Sequence, residues 1–165
     1  MTMPGRRELF AKLGLLGGLA AFVGAAKAQP AVAQGAPKRE FLKSDFAQGN
    51  AYSQAVVAQG GRTIYLAGQT ASQADASGKS LAGDFDGQVR SIFAALEKTL
   101  ERAGGKLSDI VTMTVFMVDD RFDRRFLELR KEILKDNFPA SALINVHSLA
   151  APVAMLEIQA IAVVG

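Results

Sequence analysis

The sequence predicts an α+β domain in which two helices cover one face of a mixed β-sheet. Three observations carry that prediction. Two segments repeat apolar residues at helical spacing, others run apolar or β-branched over strand lengths, and the two kinds interleave as ββαβαββ. The 165 residues, 49% hydrophobic and 21% charged, have the length and balance of one globular domain with a core of its own.

The domain is expected over residues 40–165, after an Ala-, Gln- and Pro-rich linker at 29–39. Tyr52 to Ala58 and Thr63 to Ala67 read as two strands joined through Gln59-Gly60-Gly61-Arg62, a hairpin signal. The polar, glycine-containing stretch Gly68 to Gly83 reads as a loop. Val89, Ile92, Phe93, Leu96, Leu100 and Ala103 then mark an amphipathic helix that Gly104-Gly105 ends. Ile110 to Val118 is apolar or β-branched almost throughout, which predicts a strand buried on both faces. Phe122, Phe126, Leu129 and Ile133 make the second helix, running to about Lys135 and closed off by Pro139. Leu143 to Val146 and Met155 to Val163 are the last strands. Helices on one face leave Val56, Leu66 and Ile161 expected on the other, with no further segment to cover them. A small domain does not leave such a face wet, so self-association in a symmetric ring is expected.

Residues 1–28 read as an export leader rather than as part of the fold. Arg6 and Arg7 form a charged start, Leu13 to Ala26 is an uncharged apolar run, and Ala26-Lys27-Ala28 has the small-x-small form of a cleavage site. The run is short for a membrane span, so no membrane association is expected after cleavage. Arg6-Arg7-Glu8-Leu9-Phe10 favours the twin-arginine route, which predicts a periplasmic or otherwise exported protein. Four of the 19 basic and one of the 16 acidic residues fall in this leader, leaving 15 of each. The remainder is formally neutral, and the basic pI is no argument for nucleic-acid binding.

Several chemistries are absent. Without cysteine there is no disulfide, thiolate metal site or cysteine nucleophile. The one histidine, His147, has no second ligand at metal spacing. Near Asn145 on a strand, it reads as a core or cleft histidine rather than as a catalytic base. Nucleotide-binding and nucleophile-elbow motifs are missing.

Short motifs in a fixed order carry the functional signal. They are Tyr52-Ser53-Gln54-Ala55, Leu66-Ala67-Gly68-Gln69, Gln88 with Leu96-Glu97, Asp109-Ile110-Val111, Thr114-Val115-Phe116, Phe138-Pro139-Ala140, and Glu157 to Val163. In this order and spacing the chain resembles the RidA (YjgF) proteins over nearly all of the domain. The resemblance implies a chorismate-mutase-like fold, a homotrimer with ligand clefts between subunits, and hydrolysis of small imines or enamines without metal or cofactor. It implies Glu157 as acid, base or water-positioning group. A glutamate between Leu156 and Ile158 could equally be an exposed edge position or paired at a subunit contact. The resemblance further implies that Tyr52 lines the cleft and that Gly68 and Gln69 form the turn beside the substrate.

One departure bears on substrate. The family's active members have arginine where this chain has Ser141, and no Arg or Lys follows Lys135. A serine offers a hydrogen bond but no charge, which argues against 2-aminoacrylate-type acids as substrates. Leu127 likewise stands where many members have asparagine. Two readings follow: a hydrolase of imine-like small metabolites, or a non-catalytic trimeric binder using the same clefts. Arg62 and Arg130 are the cations that another subunit could bring to the cleft.

Overall fold

The structure is a computed structural model that describes residues 36–165. The expected leader, and the linker up to residue 35, lie outside the described residues.

The strands are β1 (Lys38–Leu42), β2 (Ala55–Gln59), β3 (Arg62–Gln69), β4 (Ile110–Met117), β5 (Ala140–Asn145) and β6 (Leu156–Val164). The helices are α1 (Asp45–Gly49), α2 (Phe85–Arg102) and α3 (Asp123–Leu134). A four-stranded sheet has the order β3-β6-β4-β5, with β4 and β5 parallel and the other pairs antiparallel. The expected mixed sheet with two long helices is therefore present.

Two additions and several corrections stand against the sequence reading. Strand β1 takes in Lys38 and Arg39, assigned above to the linker, and the single-turn α1 follows it behind a Ser44 cap. The expected hairpin does not form as a ladder. Gly60 and Gly61 do make a tight turn at φ 70° and 68°, the geometry only glycine adopts freely. Yet β2 pairs along its whole length with β1, and β3 pairs with β6. The N-terminal strand supplies β2 with a full antiparallel partner, so the two strands leave the turn into different sheets. Leu66, expected on the uncovered face, is instead buried in the core beneath the helices.

The core forms where α2 and α3 meet the sheet. Phe85, Val89, Ile92, Phe93, Leu96 and Leu100 of α2 and Phe126 and Leu129 of α3 pack on Met113, Val115 and Met117 of β4. From β6 the same face takes Leu156, Ile158, Ala160 and Ala162. Asp84 caps α2 by accepting from Gly87 N at 3.0 Å. Strand β4 is buried at alternate positions, not on both faces, because no layer covers its far side among the described residues. That side carries Phe116, Ile144, Ile161 and Tyr65, the last 79% exposed. A shallow groove of about 150 Å³ runs there between Tyr65, Thr112, Thr114, Gln159 and Ile161.

An ion pair between Arg39 and Asp109 ties β1 to the start of β4. Asp109 also accepts from Lys106 N at 2.9 Å, and Arg39 donates to Val163 O at 3.0 Å. Asp109→Ala leaves two donors unpaired at a largely buried place. It should cost about 2 kcal/mol, lowering the thermal midpoint by roughly 4–8 °C. A melt within a degree of the parent would show the pair to be idle.

Candidate functional site

The residues that the sequence singles out fall into two groups. The first is Glu157 with Gly68. Glu157 alternates with the buried Leu156 and Ile158 and stands opposite Phe116, so its side chain projects from the uncovered face of the sheet. A Cβ built on Gly68 would lie 1.9 Å from Glu157 Oε1 and 2.9 Å from its Cδ. The carboxylate thus occupies the space that any other residue at position 68 would need. The irregular pairing between Leu66 and Gln69 brings the Gly68 backbone under it. No cation lies within ion-pair distance of Glu157 among the described residues. Gln69 is turned away from this job. Its amide folds back on the turn, donating to Gly68 O at 3.2 Å.

The second group gathers around Ser141. Tyr52 follows α1 rather than opening a strand, and it is held by its backbone. Its N–H donates to Ala47 O at 3.1 Å, and its carbonyl accepts from Gln48 Nε2 at 3.0 Å. Ser53, fully buried, donates through Oγ to Phe138 O at 2.6 Å and through N–H to Pro139 O at 3.0 Å. An isolated bridge between Ser53 and Ala140 completes the junction. The half-buried Tyr52 is thereby fixed beside the Pro139-Ala140-Ser141 segment.

Ser141 pairs with Met113, whose side chain enters the core, so Ser141 points to the helix-covered side of the sheet edge. There it meets Arg130 of the same chain. Arg130 Nη1 donates to Ser141 Oγ at 2.7 Å, and Nη2 donates to Asn50 O at 2.8 Å. The guanidinium lies 5.2 Å from the centre of the Phe126 ring and is only 2% exposed. Its Nε has no hydrogen-bond partner. No carboxylate lies within ion-pair distance of it among the described residues. Burial pushes this guanidinium down to about 10, which still leaves it charged at neutral pH.

Position 141 therefore has a cation beside it. This revises the argument against acidic substrates, which assumed that no cation was near Ser141. A signal for Arg130 was present in the sequence. It stands four residues after Phe126 and three before Ile133, a cation on the helix's apolar stripe. The other candidate cation, Arg62, is spent elsewhere, donating to Ala103 O at the end of α2.

Within one chain the two groups are not brought together. Glu157 and Gly68 lie on the open face of the sheet, whereas Ser141 and Arg130 lie on the covered side at its β5 edge. Gln88 proves structural. Its amide donates to Leu81 O and Val153 O at 2.9 and 3.0 Å and accepts from Met155 N at 2.9 Å, pinning the approach to β6. His147 is exposed beyond the end of β5, not in the core or in either group. The described residues contain no cluster of His, Asp and Glu able to hold a metal.

Comparison with known proteins shows the family and the fold. A family model described as Endoribonuclease L-PSP matches residues 43–164. A human 2-iminobutanoate/2-iminopropanoate deaminase is 32% identical over 114 residues, covering 69% of this chain and 80% of that protein. A RutC family protein of Pyrococcus horikoshii is 32% identical over 111 residues, covering 67% of this chain and 85% of its own. Among solved structures, a Rid family protein of Yersinia pestis superposes with a TM-score of 0.66 at 24% identity. That match covers 76% of this chain and 98% of the other, and it speaks for the fold alone.

Proposed function

The chain belongs to the Endoribonuclease L-PSP family of Rid (YjgF) proteins, and from that premise we propose that it hydrolyses the C=N bond of small imines or enamines in clefts between copies of itself. The observation that carries this reading is the Glu157 carboxylate, seated over Gly68 without a cation of its own. A carboxylate so placed can take a proton from water as the water oxygen adds to the imine carbon, then pass that proton to nitrogen. A second transfer, from the new hydroxyl to nitrogen, breaks the C–N bond and releases ammonia, leaving a carbonyl compound. Water supplies the oxygen, and the step calls for no metal or cofactor.

The separation of the two groups supports assembly. One copy offers Tyr52 and Ser141, and a neighbour docked on the exposed Tyr65, Phe116 and Ile161 face would bring Glu157 and Gly68. The reading takes that assembly to be a homotrimer. RNA cleavage, which the family's description suggests, sits poorly with the formally neutral chain beyond residue 28. The reading also takes the protein to be exported, on the leader residues Arg6 and Arg7. Fractionation that found the chain only in the cytoplasm would remove that part.

The test is ammonia release from imines generated enzymatically in the presence of the protein, alongside its mass in solution. Release faster than the spontaneous rate, from a trimer, is the expected result. Ligand binding with no acceleration would leave the second reading, a non-catalytic trimeric binder. The serine at position 141, in place of the usual arginine, is the feature that favours it.

A further inference from the structure

Arg130 is a feature that the fold does not account for. A buried cation is costly unless an anion or a full set of acceptors compensates it. Here a guanidinium with five N–H donors makes two hydrogen bonds, both to neutral oxygens, and leaves Nε unpaired. Replacing such a group with an apolar one commonly stabilises a protein. Its presence therefore asks for a use.

The hydrogen bond to Ser141 indicates what the use is. Arginine has no acceptor, so Arg130 can only donate to Ser141 Oγ. The serine's own hydrogen is not spent on this contact. Ser141 is half-buried at the sheet edge and reachable, whereas Arg130 behind it is not. A hydroxyl whose oxygen accepts from a cation becomes a stronger donor on its other side. Nearby, a groove of about 370 Å³ is lined by Gly49, Asn50, Arg124, Leu127, Glu128 and Lys131. Its one acid, Glu128, is already engaged by Arg125 at 2.9 Å, so the groove favours an anion.

The geometry points to Ser141 and Arg130 acting as a single two-residue anion anchor, in which the Ser141 hydroxyl contacts a substrate carboxylate and Arg130 supplies the charge from behind. This deepens the reading above and rests on it for the identity of the site. The ligand class it selects is a small carboxylic acid.

The experiment is a titration of the full chain with 2-oxobutanoate, such an acid, and with its uncharged amide, at low and high salt. The chain should bind the acid at least about tenfold more tightly than the amide, with the preference shrinking in salt. Ser141→Ala should lose about tenfold in affinity for the acid. Arg130→Met should lose at least that and the salt dependence too, while melting no lower than the parent. Ser141→Arg alone would set two guanidiniums against each other. The double change Ser141→Arg with Arg130→Met moves the cation forward and should recover binding to within about threefold of the parent.

Equal binding of acid and amide, or unchanged affinity in Ser141→Ala, would overturn the anchor. If Arg130→Met fails to fold, Ser141→Ala still decides, because a half-buried hydroxyl is a small loss. The two readings fail separately. Preference for the acid without ammonia release would remove the hydrolase and keep the anchor. Ammonia release with no preference for charge would do the reverse.

Discussion

Glu157→Gln is expected to lower ammonia release by about 10²–10⁴-fold while leaving the fold and the binding of 2-oxobutanoate in place. The substitution keeps the shape of the side chain and removes its capacity to carry a proton. The amide fits the same space over Gly68, where the carboxylate now sits with Oε1 in the position of the missing Cβ. No ion pair among the described residues is broken by the change, so the melting temperature should stay within a few degrees. The measurement is single-turnover ammonia release, paired with a titration of the same preparation. Turnover that survives the change would move the proton transfer to another group and end the assignment of Glu157. A variant that no longer assembles would instead place Glu157 at a subunit contact, the alternative that its position between Leu156 and Ile158 left open.

Gly68→Ala should cost roughly 100-fold in turnover with little loss of stability, the signature of a misplaced group rather than a damaged fold. The new methyl would sit 1.9 Å from Glu157 Oε1, which is impossible without movement. The obstructing atoms are the far end of a flexible side chain, so the carboxylate swings aside and the backbone need not. Gly68 has no left-handed backbone to lose, since it is not among the positive-φ glycines. Pairing Gly68→Ala with Glu157→Asp shortens the acid by one methylene, the room that the methyl takes, and should return part of the activity. If Gly68→Ala lowers the melting temperature by more than about 5 °C, the glycine is needed by the strand and not by the carboxylate.

Both predictions use residues that the sequence had already marked, though not for the reason the structure supplies. The resemblance places Gly68 in the turn beside the substrate. Its closest neighbour is instead Glu157, 89 positions away in the sequence. The sequence presents Ser141 as the loss of a cation. The compensation sits on another element, α3, where a helical wheel shows an arginine on the apolar stripe but not what it touches.

By itself the sequence determined the elements whose burial is periodic. The helices around Ile92 and Phe126 repeat apolar residues often enough to declare their period and their inward face, whereas the apolar runs through Val115 and Ile158 declare strands without saying which face is covered. The family and the position of Glu157 were legible for a similar reason, since ordered motifs survive where packing and chemistry constrain them locally. Strand β1 and helix α1 were not legible, because five residues each are too few to establish a period. Only the tertiary structure decided the rest. It chose β1 over β3 as the partner of β2, turned Leu66 inward, and put Glu157 and Ser141 on opposite sides of one sheet. It also set Arg130 behind Ser141. Each of these depends on which surfaces compete for the same neighbour in space, and a pattern read along the chain records a residue's own preference but not its rivals.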